Sequence, residues 1–192
     1  MNSIVFFLFL LFVFTSARRC YDAKTIKFWY DYNDVVPDVF KKAPQNHATV
    51  KYGKQTVDLG HVINPRFTKN QPKVFWDAKP HSLYTLAMID IDAPSRKDPQ
   101  FAQFRHWLVM NIPGNRIAKG KVISSYFAVG PPEKTRWHRY VLAIFKQNGR
   151  IKSVQEKEDG SDRVKWNVTE FAARNGLKHV AGSYFVARND KQ

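Results

Sequence analysis

Asp90 and Asp92 close an apolar run, YTLAMI, and Ala93-Pro94 with the basic pair Arg96-Lys97 follow at once. Side chains alternate along a strand, so the spacing predicts Tyr84, Leu86, Met88, Asp90 and Asp92 on one face, with Thr85, Ala87, Ile89 and Ile91 on the other. Two carboxylates about 7 Å apart at a buried strand end repel each other and call for a proton or a cation. His106 opens the run RHWLVMNI, and His138-Arg139-Tyr140 opens HRYVLAIF, shortly after Gly130-Pro131-Pro132. Carboxylates with a histidine can hold a divalent metal for phosphoester hydrolysis. Histidine, tyrosine and backbone N–H groups can instead accept an anion. Each residue also has a plain structural role. A histidine on an apolar strand is usually hydrogen-bonded in the core, Asp before Ala-Pro organises a turn, and His-Arg holds a carboxylate in an ion pair.

The elements that must position these residues read mostly as strands. KVFWDA, SLYTLAMIDID, RHWLVMNI and HRYVLAIF are β-branched and aromatic runs bounded by Pro, Gly or Asn, and several are apolar on both faces, as in strands buried between layers. ATVKYGKQTVDLG predicts two short strands around Gly53-Lys54. DVVPDVFKKAP reads as a short helical turn stopped by Pro44. TEFAARNG reads as a helix with Thr169 as its N-cap and Gly176 just past its end. Helices do not alternate with the strands, which excludes a doubly wound parallel sheet. The expected class is mostly β, a β-sandwich with a few short peripheral helices. Pro94 to Gln103 and Pro113 to Trp137 are expected to be long irregular loops, and such loops often carry function.

The first residues stand apart. Ile4 to Phe14 is an uninterrupted apolar run, too short to span a bilayer and suited to a signal-peptide core, and Thr-Ser-Ala follows it. The expected signal peptide is 1–17, leaving a single domain over 18–192, secreted. The competing reading is a short membrane anchor, since no Lys or Arg precedes the run. Cys20 is the only cysteine, so no internal disulfide forms, and the thiol is either free or pairs with another chain. Secretion gives meaning to the acceptor Asn167-Val168-Thr169 as a glycosylation site. Lys and Arg number 31 against 16 acidic residues, a formal charge of +15, which favours anionic partners such as a phospholipid surface. No nucleic-acid motif accompanies that charge. No metal-motif spacing, Gly-x-Ser-x-Gly or phosphate-cradling glycine loop supports the metal-dependent phosphoesterase.

DVVPDVF, VKYG, QPKVFWDA, YTLAMIDIDAPSRKDP, RHWLVMNIPGN and GPPEKTRWHRYVLAIF together resemble the phosphatidylethanolamine-binding protein family, in order, from about Val35 to Tyr184. The resemblance implies an antiparallel β-sandwich with a small anion pocket for a phospholipid headgroup or other phosphate-bearing ligand, without catalysis and without a cofactor. By position the lining is expected to be Asp90, His106, Gly130, Pro131, His138, Tyr140 and Tyr184, with Asp92 and Arg139 supporting the rim. Phosphoethanolamine suits such a pocket, its ammonium meeting a carboxylate and its phosphate meeting His, Tyr and N–H donors. The family also includes kinase-pathway and protease inhibitors, so an extracellular protein partner or protease inhibition is the alternative. Two departures stand out. Ile91 replaces the central proline of Asp-Pro-Asp-Ala-Pro, and Arg136 replaces the glycine of Gly-x-His-Arg. Arginine disfavours a positive φ, so a changed loop before His138 is expected. The chain stops eight residues after Tyr184, and the resemblance then implies a more open pocket mouth.

Overall fold

The two-sided apolar runs become the middle of a sheet. A computed structural model describes residues 21–189. The expected signal segment 1–17, the start at Arg18 and Cys20 lie outside the described residues. Among those described, the elements run α1 (Ala23–Tyr32), α2 (Val35–Asp38), β1 (Asn46–His47), β2 (Thr49–Tyr52), β3 (Gln55–Val57), β4 (His61–Val62), β5 (Lys73–Phe75), β6 (Leu83–Asp90), β7 (Phe104–Pro113), β8 (Lys121–Ser124), β9 (His138–Lys146), α3 (Val168–Arg174) and β10 (Lys178–Ala187). The larger sheet has the order β1-β10-β9-β6-β7-β8, with β4 also pairing β10, and β3-β2-β5 form a smaller antiparallel sheet. The long strands pair antiparallel, while the short β1 and β4 lie parallel to β10. The protein is mostly β, as expected, though the larger sheet is mixed at that edge.

Each face of the larger sheet has its own core. Ala87, Ile89, Leu108, Val141, Ala143 and Tyr184 pack under Ile26 and Tyr30 of α1 and Val168 and Phe171 of α3. Tyr84, Leu86, Met88, Trp107, Leu142, Ile144 and Phe185 pack against Val50, Val57 and Val74 of the smaller sheet. Both faces of β6 and β9 are therefore dry, which is why their sequences show no polar alternation.

The hairpin at Gly53 forms as expected, with φ of +57° at the turn. Three readings need correction. The N-cap of α3 is Asn167, whose Oδ1 accepts from Thr169 N and Glu170 N, each at 3.0 Å. Thr169 sits inside the first turn and adds its own hydroxyl to the same oxygen at 2.8 Å. Pro113 to Trp137 is not irregular throughout, because β8 and a short 3₁₀ turn at Ile117–Lys119 interrupt it. Helix α1 was not anticipated. Asp22 caps it through Thr25 N, and Ile26 and Tyr30, one turn apart, bury its inner stripe.

Candidate functional site

Antiparallel order brings the end of β6, the start of β7, the start of β9 and the end of β10 to one edge of the sheet. Register then sets a row across four strands, because Asp90 pairs both Phe104 and Tyr140, and Tyr140 pairs Phe185. Directly paired residues share a face, so this row faces the smaller sheet. Tyr140 stacks on Phe185 with ring centroids 5.3 Å apart. One position further out, His138 stands at the edge with its Nδ1 2.8 Å from Asp90 Oδ2.

His106 joins this group through a bulge. The β6–β7 register shifts between Met88 and Ile89, where Trp107 and Arg105 pair consecutive residues and leave His106 as the extra one. A bulge breaks strict alternation, so His106 faces the same side as Trp107. Its ring lies 4.9 Å from Phe104 and 5.2 Å from Tyr140. Its Nδ1 is 2.8 Å from the Phe127 carbonyl oxygen. A carbonyl only accepts, so Nδ1 carries the proton, and in the neutral ring Nε2 is a lone-pair acceptor. Nε2 has no protein partner among the described residues. Burial pushes the His106 pKa down, opposed by the Phe127 carbonyl and Asp90, so the ring is neutral near pH 7. Burial first, then Asp90, pushes Tyr140 well above the ordinary tyrosine range.

The expected repulsion between Asp90 and Asp92 does not arise. Strand β6 ends at Asp90 and the backbone turns, with Asp92 N donating to Asp90 Oδ1 at 2.8 Å. The two carboxylates consequently leave on opposite faces. Asp92 Oδ2 accepts from Arg139 N at 2.8 Å and Nε at 2.9 Å, and Oδ1 accepts from Nη2 at 2.7 Å. Arg139 Nη1 continues to the Asn33 carbonyl at 2.7 Å and to Asp38 at 2.9 Å. This buried fork ties the end of β6 to the helical layer. Arg139 and Asp92 thus stand behind the sheet from His138, and Asp90, Asp92 and His106 do not converge as metal ligands would.

Tyr184 is displaced from its expected place. Tyr184 pairs Val141, not Tyr140, so it belongs to the opposite row with Ile89 and Arg105. It is fully buried there, its hydroxyl donating to the Trp29 carbonyl at 2.7 Å and accepting from Asn33 Nδ2 at 2.7 Å. Phe185 occupies the position on the site's face. Its neighbour in sequence gave the signal, since alternation in β10 fixes one residue per face. Gly130 is exposed and Pro131 buried, the latter's carbonyl accepting from Asn189 Nδ2 at 3.3 Å. They open the loop whose Thr135 reaches His138, with Oγ1 2.9 Å from Nε2. Thr135 also donates its hydroxyl proton to the Pro132 carbonyl at 2.7 Å. Arg136, expected to change this loop, keeps the left-handed backbone that glycine favours, with φ of +64°.

Beyond the histidines, Phe127 and Arg163 complete the surroundings. Arg163 lies 5.7 Å over the Phe127 ring and donates to the carbonyls of Arg105 and His106. Neither residue carried a motif in the sequence. A separate cavity of about 570 Å³ opens on the helical side, lined by Asp38, Ile91, Arg139, Trp166 and Asn167. Ile91 therefore faces that cavity, not the histidine side. Among the described residues no cluster of His, Cys, Asp and Glu is placed to hold a metal ion.

A profile of phosphatidylethanolamine-binding proteins matches residues 41–188. The chain belongs to this family. A Drosophila melanogaster relative provisionally named odorant-binding protein A5 is 33% identical over 164 residues, covering 82% of this chain and 78% of its own. The solution structure of CG7054 is 34% identical with a TM-score of 0.66, covering 82% of this chain and 93% of its own. The carboxypeptidase Y inhibitor, solved with its cognate proteinase, reaches a TM-score of 0.76 at 21% identity over 88% of this chain and 97% of its own. That likeness is one of fold.

Proposed function

We propose that the protein is a secreted, non-enzymatic binding protein whose pocket, formed by Asp90, His106, His138 and Tyr140 with the Gly130–Pro131 loop at its rim, takes a phospholipid headgroup or a similar small phosphate-bearing ligand. The observation that carries this reading is the pairing of a hydrogen-bonded clasp, His138 on Asp90, with an unpartnered acceptor, His106 Nε2, inside a wall of Phe104, Phe127, Tyr140 and Phe185. A neutral His106 receives a donor, such as an ammonium or hydroxyl, and the phosphate falls to the exposed Gly130 rim, since Asp90 and Thr135 already engage both His138 nitrogens. Asp90 already accepts from His138 and Asp92, so His106 takes the first contact with an ammonium. The mature chain would begin at Arg18 and act outside the cell, with Asn167 available to a glycan. Extracellular protease inhibition is the second reading, and the fold shared with the carboxypeptidase Y inhibitor supports it at the level of scaffold.

Two ligands of fixed charge test the assignment, glycerophosphoethanolamine as the zwitterion and dimethyl phosphate as the plain anion. Lowering pH protonates His106 and turns its acceptor into a donor. Calorimetry should then show the zwitterion weakening and the plain anion tightening as pH falls below the ordinary histidine range. Parallel pH dependence for the two, or its survival in His106→Ala, would refute the role given to His106.

A further inference from the structure

Helix α1 shows water an aromatic row. Ile26 and Tyr30 point into the core, and the positions opposite carry Lys24, Phe28 and Tyr32. Phe28 is 57% and Tyr32 69% exposed. The two rings stack with centroids 5.8 Å apart, and half-buried Trp29 meets them edge-on at 5.4 and 5.7 Å. Among the described residues nothing closes over the Phe28 and Tyr32 rings, while Trp29 also packs on the core.

Beside it lies a groove of about 380 Å³ between α1 and residues 41–45. Lys24, Lys27, Lys41 and Lys42 rim the groove over an apolar floor that includes Ala23, Val36, Ala43 and Pro44. Asp31 is the one carboxylate of that lining, and Lys27 holds it. Asp34 and Asp38 are turned to Arg96 and Arg139, so the rim is net positive.

We propose that α1 and the 41–45 segment form a docking surface for an anionic phospholipid membrane, distinct from the ligand pocket. Phe, Trp and Tyr side chains settle at the headgroup level of a bilayer, and flanking lysines gain from its negative surface potential. A short amphipathic helix with both features lies in the interface plane. Among the described residues no helix is long and apolar enough to cross a membrane. A sulfated glycan would engage the lysines and leave Phe28 and Tyr32 in water. The membrane uses both.

The test is co-sedimentation of the chain from Arg18, which contains every described residue, with vesicles of phosphatidylcholine with and without phosphatidylserine. Binding should require phosphatidylserine and weaken with salt. Lys41→Gln and Lys42→Gln should each lower it roughly fivefold, and Phe28→Ser with Tyr32→Ser roughly tenfold or more. All four positions are exposed or at the rim, so thermal unfolding should be unchanged. Saturating glycerophosphoethanolamine and His106→Ala should leave vesicle binding intact, whether or not the pocket takes a headgroup. Vesicle binding that pocket ligand abolishes, that ignores Phe28 and Tyr32, or that never appears at low salt would overturn the proposal. So would binding to heparin that matches vesicle binding and ignores the aromatics.

Discussion

At the scale of single residues, burial and hydrogen-bond accounting decide what each charged group does. Asp92 is almost wholly buried and gives both oxygens to Arg139. Removing one member of such a pair leaves a buried charge uncompensated, at about 3–5 kcal/mol. Asp92→Ala should therefore lower unfolding stability by about 3 kcal/mol, since Arg139 keeps Asp38 and Asn33, whereas a loss under about 1 kcal/mol in urea denaturation would deny the fork its structural role. Arg136 holds a left-handed φ that costs a side-chain-bearing residue about 1–2 kcal/mol. Glycine removes that strain but adds unfolded-state entropy, so Arg136→Gly should stabilise by about 0.5–1 kcal/mol. Destabilisation in the same assay would mean that the arginine side chain makes contacts worth more than the backbone strain. The sequence made the identities of Asp90, Asp92, His106 and His138 visible. It hid the opposite departures of the two aspartates, because alternation was extended past the point where β6 stops pairing.

At the scale of elements, two devices position the site and neither is written locally. The bulge at His106 depends on how β7 meets β6, and no property of RHWLVMNI specifies it. Tyr184 and Phe185 exchange faces with a one-residue change of register, so their assignment needed β10 to be recognised as a strand. The central strands were legible because both of their faces are apolar. Helix α1 was hidden by its exposed aromatics, which blur the 3.6-residue pattern that Ile26 and Tyr30 mark. For α3, the cap lies at Asn167, and this can be measured. In protein made without glycosylation, Asn167→Ala should cost about 1 kcal/mol, and Thr169→Ala clearly less. The reverse order in thermal denaturation would return the cap to Thr169.

Across the whole molecule, enclosed histidines couple stability to pH. Burial pushes His106 and His47 down and takes His179 to about 4. His179 Nε2 is enclosed without a partner, beside the Phe40 and Phe145 rings. A folded pKa below the unfolded value means that the unfolded chain binds more protons. Stability is then fully present above the ordinary histidine pKa and falls as pH drops toward about 4. His179 alone should remove ~2 kcal/mol between pH 7 and pH 5. Urea denaturation at the two pH values should show that loss, and His179→Leu should flatten it; an unchanged slope in the variant would assign the effect elsewhere. The proposed binding stands on the residues gathered on the small-sheet face, Asp90, His106, His138 and Tyr140. The most direct measurement is an NMR titration of the chain from Arg18 with glycerophosphoethanolamine near neutral pH. Saturable shifts at His106, Thr135, His138 and Tyr140, with Tyr184 unmoved, are the expected result. Absence of binding at millimolar ligand, or shifts gathered around Arg139 and Trp166 on the helical side, would contradict it.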